Sequence, residues 1–289
     1  MILSHRQIED IAAAIIQDFN KFFYCGSTVF GDKYVHATPI DEFARDYLRL
    51  NVRFARLSAD GSICGLTSYA DAEYIVEEMG VVRTIELKQN QILLDSCFLE
   101  TGKVKKLCGK RRFTLAHECA HQILFQMESE ESQQKCRKLY SERRFYSLRD
   151  LKSREDWNEW QANALGAALL MPQAEIDRAM WIFAQCRTLI SYEGRFSYAD
   201  KLALSLLCQT LGVSKSAAMI RLRQLGYLEE RPYRNQEDKA TKKPNCYQKV
   251  IICAGCPIFV YCGAISALPG AFSLVTAVRF LNGQEVSFH

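Results

Sequence analysis

The sequence predicts an α+β fold: a small mixed sheet packed on a helix that bears an H-E-x-x-H motif, then a helical C-terminal half with a helix-turn-helix-like pair. Three observations point there. Short strand-like runs lie between residues 51 and 94, behind two predicted helices. Helical periodicity dominates from residue 111 onward. Leu211-Gly212-Val213-Ser214 then interrupts two helical stretches within residues 196–230.

The elements follow in order. Ser4 and Gln7 make a capping box, and Ile8, Ile11, Ile15 and Phe19 form one apolar stripe behind it. A second helix is predicted from Pro39 to about Leu50, with Ile40, Phe43, Tyr47 and Leu48 inward. Asn51 to Leu57 and Gly61 to Tyr69 read as strands around an Asp60-Gly61 turn. Thr84 to Leu87 and Gln91 to Leu94 read as two more. Helices are predicted over 111–126 and 156–171, the second stopped by Pro172, and from Gln173 to about Cys186. Residues 127–155 are rich in charge and Ser and read as a solvated connection. In the C-terminal pair, Gly212 suits a helix C-cap and Ser214 an N-cap.

Composition bounds the function. With 289 residues, 48% hydrophobic and 24% charged, the chain can bury a real core and is neither disordered nor collagen-like. A formal charge of +4 is too small to argue for nucleic acid by itself. Twelve cysteines fall short of a disulfide scaffold. The N-terminus, Met1-Ile-Leu-Ser-His-Arg, lacks the basic-then-apolar layout of a secretory signal. Free thiols in a reducing cytoplasm are therefore expected.

His117-Glu118-Cys119-Ala120-His121 carries the chemistry. Positions i and i+4 share a helix face, so the two imidazoles can reach one ion. Glu118 is rotated about 100° from His117 and stands beside such an ion, able to take a proton from water. Leu115, Ala116, Ala120, Ile123 and Leu124 make this an interior helix. The pattern also fits two unrelated histidines on a core helix.

A catalytic zinc usually has three protein ligands. Leu124 and Met127 stand where the metzincin extension needs Gly and His, so that class is excluded. A carboxylate on a following helix remains. Glu159 is the first choice, on a helix whose Ala162, Leu165, Ala168 and Leu169 argue for burial, where a carboxylate is costly unless paired or metal-bound. Asn163, one turn on, could accept the outer N–H of a ligating His. Glu155 and Asp156 are the alternatives, and they serve equally well as caps or dipole partners.

The segments RRFTLAHECAH and EWQANALGAALLMP, together with QILLD and VSKSAAMIRLRQLGYL, resemble the ImmA/IrrE family of metallo-endopeptidases, over roughly residues 5–230. The resemblance extends to the gluzincins, whose third ligand is a Glu in an N-E-x-x-(S/A)-(D/N) helix; Asn158-Glu159-Trp160-Gln161-Ala162-Asn163 matches it. It implies zinc bound by His117, His121 and Glu159, with Glu118 as the catalytic acid/base. It also implies a cytoplasmic protease, encoded near mobile elements or stress regulons, that cleaves a repressor protein and so releases transcription. The alternative is a zinc-containing transcription regulator of the same architecture that binds DNA and does not cleave.

Lys215, Arg221 and Arg223 are the cations through which the second helix of the pair could meet DNA. Ala217, Ala218, Ile220, Leu222 and Leu225 give that helix a broad apolar face, which favours packing instead. The domain reading is a metallopeptidase-like unit over 1–232, a basic polar linker over 233–249 and an apolar tail over 250–289. Val250–Val278 has no charged residue and is long enough to span a bilayer, with Lys239, Lys242, Lys243 and Lys249 ahead of it. Pro257, Pro269 and the Asn282-Gly283 turn favour a small β-rich appendage over a membrane anchor. Cys246, Cys253, Cys256 and Cys262 have irregular spacing for a zinc site and read as inert thiols.

Overall fold

In a computed structural model, which describes residues 2–24, 34–78, 81–135 and 156–232, helix α1 (His5–Phe23) starts at the capping box the sequence announces. The Ser4 amide donates to Gln7 Oε1 at 2.9 Å, and the Gln7 amide donates to Ser4 Oγ at 3.3 Å. Ile8, Ala12, Ile16 and Phe19 are buried along one face. The chain divides into two units, Met1–Arg234 and Asn235–His289, and the described residues belong to the first. The expectations for the linker, the apolar tail with its cysteines, and most of the 127–155 connection lie outside the described residues.

The predicted helix from Pro39 to Leu50 is shorter and changes pitch. Helix α2 (Ile40–Glu42) runs into a π-helical turn over Phe43–Tyr47. The Leu50 amide donates to the Ala44 carbonyl at 2.9 Å, and Arg49 takes a positive φ of 56°. This wide exit delivers the chain directly into β1 (Asn51–Ala55). The aromatic residues on either side hold it: Phe19 meets Phe43 edge to face at 5.1 Å, and the Tyr47 hydroxyl donates to Asp18 at 2.7 Å.

β2 (Gly65–Ser68) does not pair with β1 across the Asp60-Gly61 turn. Both flank β5 (Gln91–Asp95), parallel to β1 and antiparallel to β2, giving the order β1-β5-β2. All five β5 residues are buried. The most apolar strand takes the centre, where both backbone edges are satisfied and both faces are covered. β3 (Ala72–Glu78) and β4 (Val81–Leu87) form a separate antiparallel pair. Tyr74, Val76 and Leu87 pack there on Leu57, Leu66 and Leu93. Sequence reading missed β3 because its glutamates dilute the alternation.

Helix α3 (Val104–Gln126) begins seven residues before its predicted start. Its first turns read as polar, yet Gly109 seats against the backbone of Val213 and Ser214. Arg111 and Arg112 also anchor it. Arg111 forks onto Asp41 with two 2.7 Å bonds, and Arg112 reaches the carbonyls of Thr38 and Gly212 at 2.8 and 3.1 Å.

Helix α4 (Asp156–Leu170) packs on α3 and is followed by α5 (Gln173–Ala184). A three-stranded sheet then appears that sequence reading missed: β6 (Leu189–Tyr192), β7 (Arg195–Phe196) and, later in the chain, β8 (Leu228–Arg231), in the order β7-β6-β8. Its strands have four residues or fewer, too short for periodicity to reveal. Helices α6 (Tyr198–Leu211) and α7 (Lys215–Gln224) cross at 105°, with Gly212 in the left-handed conformation at φ 64° and Ser214 capping Ala217. Among the described residues no single helix is long and apolar enough to cross a membrane.

At Gly166, α4 seats directly on the backbone of α3. A Cβ there would lie 3.0 Å from the His117 amide nitrogen and 3.1 Å from the Ala116 carbonyl carbon. Backbone cannot give way as a flexible side chain would. Gly166→Val is therefore expected to push α4 off α3 and to cost about 1–3 kcal/mol in urea unfolding. An unchanged midpoint would contradict this packing.

Candidate metal centre

Helix α3 presents two neighbouring faces, each doing a different job. Thr114, Leu115, Ala116, Cys119 and Ala120 are buried and fix its rotation. With that rotation set, His117 and His121 face α4, while Glu118 and Gln122 face β2. Gln122 Nε2 donates to Thr67 Oγ1 at 2.7 Å and to the Ser68 carbonyl at 2.9 Å. Glu118 lies under Gly65, where an added Cβ would meet its Oε1 at 2.6 Å and Thr114 Cγ2 at 2.5 Å. A side chain at position 65 would evict the carboxylate.

The three residues singled out as metal ligands come together. His117 Nε2 and His121 Nε2 are 3.0 Å apart. Glu159 brings one oxygen to each, at 3.3 Å from His117 Nε2 and 3.3 Å from His121 Nε2. The cluster could hold a metal ion. Donors about 2.0–2.1 Å from a zinc ion at tetrahedral angles stand about 3.3–3.4 Å from one another, so the spacing fits that ion. Two imidazole nitrogens and a carboxylate are also a borderline-soft donor set of the type zinc takes. Two neutral Nε2 atoms at 3.0 Å can share at most one proton, so a positive charge between them satisfies both.

Charge reinforces the geometry. The two imidazoles hold the Glu159 carboxyl well below the usual carboxylate range, against the opposing effect of burial. Burial pulls the His117 pKa down, but its bond to Glu159 and the nearby carboxylates more than offset this, and the net shift is upward. Burial pushes the Glu118 carboxyl up, with the neighbouring histidines pulling the other way. Burial likewise keeps the Cys119 thiol protonated, well above its ordinary value.

One expectation changes. Glu159 is not a buried carboxylate: its side chain is 59% exposed, and Asn158 and Trp160 beside it are exposed too. The apolar face of α4 begins at Ala162, so the first turn sits at the surface, and the imidazoles rather than desolvation hold Glu159 in place. Asn163 sits beside His117 and favours its charged form, as an outer partner of a ligating imidazole would, although His117 Nδ1 makes no hydrogen bond of good geometry. The side chains of Glu155 and Asp156 lie outside the described residues.

Sequence reading also missed Gly65 and Gly166. Gly166 had a signal: it follows Glu159 and Asn163 at i+7 and i+3, on the same face of a helix otherwise built of Ala and Leu. Gly65 had none, because its partner Glu118 is remote in sequence.

The cations through which α7 could meet DNA are engaged within the fold, in line with the packing reading. Arg221 is 1% exposed, forks onto Glu9 and donates to the Met171 carbonyl at 3.1 Å. Arg223 pairs with Glu230, and Lys215 stands over the Phe196 ring at 5.0 Å. A cavity of about 510 Å³ opens between α1 and the end of α3, lined by Ile11, Ile15, Tyr47, Gln122 and Ile123, and none of the three ligand-type residues lines it.

One zinc ion per chain is expected after dialysis against a weak chelator. His117→Ala, His121→Ala or Glu159→Ala should each lower that content sharply, and Glu118→Gln should leave it intact. Metal analysis of the four variants checks this; unchanged zinc in Glu159→Ala would remove that residue from the ligand set.

Compared with known proteins, the chain matches no family model and no curated protein.

Proposed function

We propose that this chain is a zinc-dependent endopeptidase of the ImmA/IrrE kind that hydrolyses a protein substrate, with a transcriptional repressor as the substrate class the resemblance implies. The observation that carries the reading is the meeting of His117, His121 and Glu159 at mutual distances of 3.0–3.3 Å, with Glu118 one residue away on the adjoining helix face.

Zinc held there would supply Lewis-acid chemistry, polarising the scissile carbonyl and acidifying water. Glu118 supplies the proton traffic. Its carboxylate accepts a proton from the attacking water and delivers it to the leaving amine. Gly65 keeps the room that the carboxylate occupies.

The sheet gives a way to present an extended peptide. In the order β1-β5-β2, one edge of β2 has no strand partner among the described residues, and Gly65 on that strand touches Glu118. A peptide added to this edge would bring its backbone past the general base. The alternative of a non-cleaving DNA-binding regulator draws no support from Arg221, whose guanidinium is buried in the core.

The reading is tested with a mixed fluorogenic peptide library and the zinc-loaded chain. Cleavage is expected from the wild type, and Glu118→Gln should lower the rate about 10²–10⁴-fold at unchanged zinc content. Cleavage by Glu118→Gln at the wild-type rate would overturn the role given to that residue.

A further inference from the structure

Glu159 stands on the first turn of α4, at the protein surface, and something must hold that turn in register with the two histidines. The two residues after it are gripped by the N-terminal segment. Gln161 Oε1 accepts the Leu3 amide hydrogen at 2.7 Å, and both residues are buried, at 2% and 6% exposure. Trp160 meets His5 edge to face, with ring centroids 6.1 Å apart. Ser4, between these contacts, is locked by its capping box with Gln7. The short run from Leu3 to His5 therefore has one conformation, set by α1, and it touches α4 at the two positions next to Glu159. A buried amide and a buried carboxamide oxygen each lose more by parting than a solvated pair would, so the contact resists sliding.

We propose that Gln161 is a positioning residue for Glu159: the N-terminal segment, docked on Gln161 and Trp160, sets where the first turn of α4 lies and thereby the affinity of the His117–His121–Glu159 cluster for a divalent cation. The inference rests on the metal-centre reading above. Groups that orient a metal ligand without touching the metal are typically worth ten- to a hundredfold in affinity. Here a backbone amide from the far end of the chain does that through Gln161, and Glu159 needs it because no burial pins its own side chain.

The experiment measures zinc affinity of the full chain by competition with a chromophoric chelator, alongside urea unfolding of the metal-free form. Gln161→Met keeps the volume but removes the acceptor, and its zinc dissociation constant is expected to rise about 10–100-fold. Gln161→Glu keeps an oxygen for the Leu3 amide and is expected to lose less than about tenfold in zinc affinity. Removal of residues 1–3 leaves α4 untouched and should loosen zinc as Gln161→Met does. If Gln161→Met binds zinc like the wild type while His117→Ala does not, the brace is wrong and the centre stands. A loss in Gln161→Met no larger than its loss of metal-free folding stability also overturns the brace. If the wild-type chain itself fails to bind zinc, the centre falls, and the brace falls with it.

Discussion

Gly166 rests on the backbone of Ala116 and His117, and the candidate centre depends on two helices being able to come that close. At this separation the first turn of α4 reaches across α3, and Glu159 meets both imidazoles. A side chain at 166 would press on that backbone and force the helices apart locally by a few tenths of an ångström or more, and Glu159 would be carried with α4. The constraint is one of packing, and it precedes any chemistry.

Around this contact each neighbour has a distinct part. Buried residues on α3 set its rotation, so that one face offers histidines to α4 and the next offers Glu118 to β2. Gln122 fastens β2 to the helix, and Gly65 leaves space over the Glu118 carboxylate. Arg111, Arg112 and Arg221 look like surface cations in the sequence. In the fold they tie α3, the 105° turn between α6 and α7, and α1 to one another. Positive charge here serves cohesion, with carbonyls and carboxylates satisfying guanidinium groups that are partly or wholly withdrawn from water.

The long periodic helices and the H-E-x-x-H spacing were legible in the sequence, because each is a local pattern. The capping box at Ser4 and the caps at Gly212 and Ser214 were legible for the same reason. Glu159 does meet His117 and His121, but the burial that singled it out in the sequence is not found: it is exposed, and the imidazoles hold it. What stayed hidden depends on contacts between distant segments. The insertion of β5 between β1 and β2, the short strands of the second sheet, the seat at Gly65 and the Leu3–Gln161 bond are of this kind. No periodicity encodes them.

In the proposed centre two imidazoles and one carboxylate from two helices bind a single zinc ion. X-ray absorption at the zinc edge of the metal-loaded chain reads those donors out. A nearest shell of only nitrogen and oxygen donors at about 2.0–2.1 Å, with imidazole scattering from two histidines, is expected. A sulfur shell near about 2.3 Å, or a hydrated ion without imidazole scattering, would contradict it.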